Sequence, residues 1–409
     1  MVTTRTAGRI PAEQRHHEIL TRATELFSTK GFDGTSMDDV AEAASITKRT
    51  LYRYFTSKDK LLYEIHETFS GQSLVPGNPD DHENTVAEFT ALVKRHIDVV
   101  SGRQKEIGVF FEERKHLTGH NRRLIERRRD DYERYMVSII EFGIAEGEFV
   151  NLNARPTAQA ILGALTETYR WYSPAGPLTA PEIADVFVDL FLHGAAVNRH
   201  YKFEGNDNVP AILSAERSAG SAAERVREAG IREFARVGYH STSIRDLADV
   251  ADVTKGAVMY HAGYKDRLLE EILRSTFEAG IDLLLACNPK SGRAIDSLHR
   301  LLVVHMRFVG ANHEAITVIN DSLRYLQPAA YARVIKLRDQ WLSIFRDTIA
   351  RGVDEGDLRD FDTGFLTRTL VGIFTSTARW YDSRGQLRPD DIAEVYWLLL
   401  MFGLSTEVR

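Results

Sequence analysis

Apolar residues recur at three- and four-residue intervals along most of this chain, and no stretch alternates convincingly with period two. The pattern predicts an all-α fold. A first helix begins after Pro11, a residue suited to a first helical turn. Ile19, Leu20, Ala23, Leu26 and Phe27 line one side of it, and Gly31-Phe32 ends it. Two short helices follow within TSMDDVAEAASITKRTLYRYFTSKDKLL, residues 35–62. Thr35 or Ser36 caps the first, with Asp38 and Asp39 in its first turn, where the helix dipole favours negative charge. Val40, Ala41 and Ala44 form a small apolar face, Ser45 sits at the turn, and Ile46 plugs the junction. Thr47 caps the second helix, which turns Leu51 and Phe55 inward and Lys48, Arg49, Thr50, Tyr52, Arg53 and Tyr54 outward. A one-turn connection, small residues at the crossing and a basic, aromatic outer face are what a helix-turn-helix needs to enter a major groove.

A fourth helix follows Ser57-Lys58 and fades at Gly71, and Ser73 to Asp81, with Pro76 and Pro79, reads as a loop. Further helices are predicted over 83–101, 104–117, 120–146, 154–172 and 182–200, with a loop from Ser173 to Pro181. Residues 201–220 have the composition of a linker. The chain then repeats itself. Residues 242–269, TSIRDLADVADVTKGAVMYHAGYKDRLL, match 35–62 at a shift of 207 with 11 of 28 positions identical. At a shift of 209, Trp171-Tyr172 matches Trp380-Tyr381, and Gly143 and Gly147 match Gly352 and Gly356. A repeat of this length is a duplicated domain pair rather than a solenoid unit. The predicted domains are a helix-turn-helix head over 1–62, a helical body over 63–203, a linker over 204–217, a second head over 218–269 and a second body over 270–409.

Composition narrows the function. A single cysteine, Cys287, excludes an intrachain disulfide. No apolar run approaches the roughly 18 residues of a membrane span, and the N-terminus lacks the apolar core of a signal peptide. The expectation is a soluble, cytoplasmic protein with no membrane partner. Net charge is −6, which weighs against nucleic acid until its distribution is read. Residues 46–60 carry five basic side chains against one acidic, and residues 253–267 three against one. Enzyme signatures are missing: there is no HExxH, GxxxxGK or GxSxG. His116 and His120 are four apart, but Gly119 weakens the helix between them and no third ligand is evident. No catalytic residue, metal or cofactor is expected.

A helix ending Phe-x-x-x-Gly-Phe, then T-S-M-x-D-V-A-x-A-A, then T-K-x-T-L-Y-x-Y-F-x-x-K-x-x-L-L, resembles the TetR/AcrR family of bacterial transcriptional regulators. Residues 16–62 carry the specific match and 226–269 a weaker one. The resemblance implies an operator of double-stranded DNA and a small-molecule effector held by the C-terminal helices, which also form a dimer interface. Carried over position by position, it implies that Ser36 bonds a phosphate and that Thr47, Lys48, Arg49 and Thr50 face bases or backbone. Tyr52 and Tyr54 then reach phosphates, and Lys58 anchors at the start of the next helix. Arg49 or Arg53 is suited to guanine, through a bidentate contact to O6 and N7. In the second head the matching set is Ser243, Thr254, Lys255, Tyr260, His261 and Lys265. That head departs from the pattern, with Gly256 for Arg49, Met259 for Tyr52 and Ala262 for Phe55. The family's usual turn glycine is replaced by Ser45 and Asp252. Asp tolerates a left-handed backbone better than Ser, so a different turn is expected in the first copy.

Two arrangements are open: a single-chain pseudo-dimer, or whole chains that dimerise and read DNA with the first heads alone. The pseudo-dimer is favoured because each copy retains closing helices that need a partner. Phe89, His96, Phe110, Phe111, Tyr135, Trp171, Phe308, Trp341 and Trp380 are candidate linings of an effector pocket, with a lipid or acyl-CoA type of ligand suggested by the resemblance. A DNA-binding protein without any effector is the alternative.

Overall fold

The computed structural model describes residues 11–201, 220–288 and 292–407. Arg5, Arg9 and Arg15 read as a basic N-terminal arm that could touch DNA backbone; Arg5 and Arg9, like the 204–217 linker, lie outside the described residues, whereas Arg15 is helical and 2.7 Å from Glu18. Eighteen α-helices and no β-strand occur among them, with two isolated bridges. The first copy contains α1 (Ala12–Lys30), α2 (Met37–Ala43), α3 (Lys48–Tyr54), α4 (Lys58–Ser73), α5 (Thr85–Gly102), α6 (Gln104–Glu112), α7 (Gly119–Ala145), α8 (Ala154–Glu167) and α9 (Ala180–His193). The second repeats the order with α10 (Ala222–Val237), α11 (Ile244–Ala251), α12 (Lys255–Ala262), α13 (Lys265–Cys287), α14 (Ala294–Ala311), α15 (His313–Ser322), α16 (Pro328–Asp354), α17 (Thr363–Trp380) and α18 (Pro389–Phe402). The largest difference in length follows the heads. Helix α4 stops at Ser73, before Pro76 and Pro79, whereas the chain after the start of α13 has no proline until Pro289 and the helix runs on to Cys287.

The chain divides into two compact units. One comprises residues up to Gly77 together with Gly102–Tyr132. Here α6 packs on α1 and α4, and Phe110 meets His66 and Phe69 at ring distances of 5.3 and 5.0 Å. The other comprises Asn78–Ser101 and the described residues from Glu133 onward. In it the second head shares one apolar core with α15 and α16: Phe234, Leu247, Val258 and Leu269 are buried together with Val318 and Val334.

Within this second unit, α8 of the first copy crosses α17 of the second, and α9 lies beside α18. Equivalent residues meet reciprocally. A Cβ on Gly163 would lie 2.4 Å from the Ser376 Cβ, and one on Gly372 would lie 3.3 Å from the Glu167 Cβ. These pairs exchange under the 209-residue shift, so the missing side chains are what let the two helices touch. Backbone bonds repeat the relation. Ala195 and Ala196 donate to Leu400 and Met401, as Leu404 and Ser405 donate to Phe191 and Leu192. Val150 donates to Leu404, as Arg359 does to Ala195, and both isolated bridges, Phe149 with Ser405 and Leu358 with Ala196, obey the same shift. This is an isologous contact made inside one chain.

The symmetry fails at one buried charge. Glu167 is 3% exposed, accepts from Arg170 at 2.7 Å and forms an ion pair with Arg379 at 2.7 Å, two arginines that are themselves counterparts. Burial alone would raise the Glu167 pKa, but the two guanidiniums outweigh it and hold the carboxyl below its usual range. The position equivalent to Glu167 is Ser376.

Candidate nucleic-acid interface

The first head is assembled by its caps. Ser36 caps α2 in a full capping box: its hydroxyl accepts from the Asp39 N–H at 3.1 Å, and its own N–H donates to the Asp39 carboxylate at 2.7 Å. The Ser36 hydroxyl and N–H both donate to the Asp39 carboxylate and, with help from Lys30, lower its pKa to about 2. Thr47 caps α3 through the Thr50 N–H. Ser243 and Thr254 act in the same way in the second head. The turns differ slightly, as expected: α2 ends at Ala43 and the Ser45 N–H donates to Glu42, whereas α11 runs to Ala251 and the Asp252 N–H donates to Ala248. Ser45 and Asp252 both take a left-handed backbone, with φ of 54° and 51°. The Ile46 and Val253 N–H groups that follow donate to Ala41 and Ala248. Tertiary packing holds serine in a conformation its side chain does not favour.

On α3, Leu51 and the C-cap Phe55 are buried, while Lys48, Arg49, Tyr52 and Arg53 stand exposed. Lys48 bonds Asp38 on α2 at 2.9 Å, a bond that raises its pKa. Thr50 and Tyr54 are half-buried. The Tyr54 ring lies 6.4 Å from His16, with the Arg53 guanidinium 5.4 Å from its centroid. The structure therefore brings the predicted first-head residues together on one outer face, with Ser36 already engaged by its cap. Lys58 differs. Its ammonium donates to the Phe32 and Thr35 carbonyls at 2.7 and 3.0 Å and sits 4.2 Å from the Phe32 ring centroid. Lys265 repeats this with the Tyr239, His240 and Thr242 carbonyls and the Tyr239 ring. The lysine common to both copies is thus an internal tie between the head's first turn and its last helix.

Helix α12 presents Lys255, Gly256, Met259, Tyr260 and His261 to solvent, and Tyr260 is 84% exposed. Ala262 is buried where the first head has Phe55. Tyr264, 77% exposed at the N-cap of α13, joins this surface and was not foreseen, because its counterpart is the capping Ser57.

The profile described as "Bacterial regulatory proteins, tetR family" matches residues 19–65 and again 226–272. That described as "Tetracyclin repressor-like, C-terminal domain" matches 82–195 and again 291–404. The chain belongs to the TetR family. It is a tandem duplication of the whole family unit, a DNA-binding transcriptional regulator and not an enzyme. Among curated relatives, the HTH-type transcriptional repressor KstR2 of Mycolicibacterium smegmatis is 25% identical over 192 residues, 45% of this chain and 91% of that protein. The negative regulator IcaR of Staphylococcus aureus is 49% identical over 47 residues, 12% of this chain and 25% of its own length. Among solved structures, AibR in complex with isovaleryl coenzyme A and operator DNA is 29% identical, with a TM-score of 0.40, covering 43% of this chain and 96% of that one. No helix among the described residues is long and apolar enough to cross a membrane.

The candidate pocket residues separate. Phe308 and Trp341 line a cavity of about 120 Å³ in the second copy, together with Phe374, Phe277, His305 and Arg338. Burial holds the His305 imidazole neutral, with its pKa pushed down to about 3. The other candidates are packed elsewhere. Phe89 is fully buried and meets Phe149 edge-on, and His96 bonds the Thr166 hydroxyl at 3.1 Å. Phe110 and Phe111 meet each other edge-on, and Tyr135 stacks with His82. Trp171 meets Phe365 edge-on beneath the Arg368 guanidinium, and Trp380 closes α17. His305 and Arg338 escaped the sequence reading because a lone histidine or arginine on a helical stripe carries no spacing signal.

Proposed function

We propose that this TetR-family chain is a ligand-responsive repressor that engages its operator as a single-chain pseudo-dimer, with α3 as the principal reading helix. The supporting observation is the reciprocal contact of α8 with α17, in which each copy supplies the partner surface that the other requires. Pairing inside the chain offers DNA two unlike helices. Arg49, Tyr52 and Arg53 on α3 provide a guanine donor fork and phosphate contacts, whereas α12 provides Lys255, Tyr260 and His261 around a glycine. The operator is then an imperfect palindrome with one half-site better defined. The effector is an apolar molecule of lipid or acyl type, and the cavity of the second copy supports a site for it.

Binding to the DNA upstream of its own gene tests the reading. Arg49→Ala should weaken affinity by about 5- to 150-fold, the worth of one bidentate base contact of about 1–3 kcal/mol. Met259→Ala should change it by less than about threefold, since it removes no charge or hydrogen bond. Equal losses from the two substitutions would contradict α3 as the principal reader.

A further inference from the structure

The cavity in the second copy has a chemistry of its own. Helices α13 to α17 line it, with the rings of Phe277, Phe308, Trp341 and Phe374 in its wall. At about 120 Å³ it approaches the roughly 150 Å³ engineered cavity that holds benzene, so it suits one ring or one short hydrocarbon chain. Several polar groups interrupt the apolar lining; Thr276 and Asn320 donate to the Ile272 and Thr375 carbonyls, and His305 and Arg338 are the two that are ionisable. His305 is 5% exposed, lies 4.1 Å from the Phe374 ring and 5.0 Å from the Trp341 ring, and has no hydrogen-bond partner among the described residues. Arg338 reaches Asp339 with one terminal nitrogen, but its Nε is buried without an acceptor. Buried polar groups are ordinarily satisfied, and the buried His305 imidazole together with the buried Nε of an Arg338 side chain otherwise 42% exposed marks the place of a missing acceptor at this cavity.

The first copy differs at the same positions. Its histidine, His96, is bonded to Thr166. Phe110 and Phe111 stand where the second copy has Ile319 and Asn320, and Phe110 is buried against His66 and Phe69. Helix α17 links the cavity to the interface. Val371, Phe374 and Thr375 face the cavity, while Gly372 and Ser376 touch α8 of the first copy.

We infer that the chain holds one effector site, in the second copy, and that the site takes a compact apolar carboxylate. Its ring or short chain lies among Phe308, Trp341 and Phe374, and its carboxylate meets Arg338 and His305. The inference rests on the ligand-responsive reading above. It divides labour between the copies, with DNA read chiefly by the first and ligand sensed by the second, coupled through α17 and α8.

Calorimetric titration of the full chain with phenylacetate and hexanoate, and with the neutral phenylacetamide, tests it without DNA. At least one of the acids should bind at one molecule per chain. The amide should bind at least about tenfold more weakly than phenylacetate, and Arg338→Gln should erase that preference. The double substitution Ile319→Phe and Asn320→Phe, which installs the first copy's residues, should abolish binding while retention on upstream DNA persists. Phe110→Ile with Phe111→Asn should leave binding unchanged. Two molecules per chain, no saturable binding of either acid, or an acid preference that survives Arg338→Gln would overturn the inference. Loss of DNA retention in the unaltered chain would instead contradict the regulator reading alone.

Discussion

Arg49 and Gly256 hold the same place in two heads that share caps, turn backbone and an internal lysine tie. The scaffold of the head is retained in both copies, while the groups proposed to touch a groove are concentrated in one. The bodies differ in the opposite direction. The second copy keeps a cavity with an unpaired imidazole, whereas in the first the equivalent imidazole is bonded to Thr166 and phenylalanines replace Ile319 and Asn320. Once two copies are joined in one chain, neither must perform every task, and each can lose what its neighbour supplies. Glu167 belongs to the same asymmetry. One carboxylate between two equivalent arginines suits the pairing of unlike copies. Pairing of like copies would bring two glutamates together on one side and two serines on the other.

Acid should have the largest effect. Burial pushes the pKa values of His66 and His96 down to about 4 and that of His305 to about 3. Because the folded values lie below the unfolded ones, the unfolded chain takes up protons first. Stability is full above about pH 6.5 and falls toward pH 4, by roughly 1.4 kcal/mol per pH unit for each imidazole. Melting temperatures recorded across that range should drop steeply, and His305→Phe should flatten the slope. An unchanged slope would mean that His305 is not held neutral.

Glu167→Gln comes next. It leaves two guanidiniums facing an amide in a buried site, an expected loss of about 3–5 kcal/mol in denaturant unfolding. The counterpart change Ser376→Ala should cost less than about 0.5 kcal/mol. Equal effects would remove the asymmetry from the interface. Lys58→Met should cost about 1.5–3 kcal/mol of stability, the range for hydrogen bonds made by a charged group, and leave the salt dependence of DNA binding unaltered. A shallower salt dependence at unchanged stability would return Lys58 to the DNA surface.

Much of this was legible in the residues. Pro11, Ser36, Thr47 and Gly31 mark helix ends by their own backbone chemistry, and the 207- and 209-residue shifts expose the duplication without any structure. Other features depend on distant neighbours. Lys58 reads as a DNA-facing anchor at the start of α4 until its ammonium is seen bonded to carbonyls of residues 32 and 35. Ser45 reads as a poor left-handed residue because its local preference is known, while the packing that overrides it is not. Ser45→Gly should therefore stabilise the first head slightly, by about 1 kcal/mol or less, with Asp252→Gly gaining less still. The aromatic positions could not be sorted into core and cavity, because a ring on a helical stripe looks the same in both.

The central claim is that one chain carries its own partner. Footprinting of the purified chain on its upstream DNA, with the number of bound chains counted by mass, tests it most directly. The account predicts a single chain on an imperfect palindrome, with the half-site under α3 protected more strongly than the other. Two chains on a strict palindrome, with both half-sites equally protected, would contradict it.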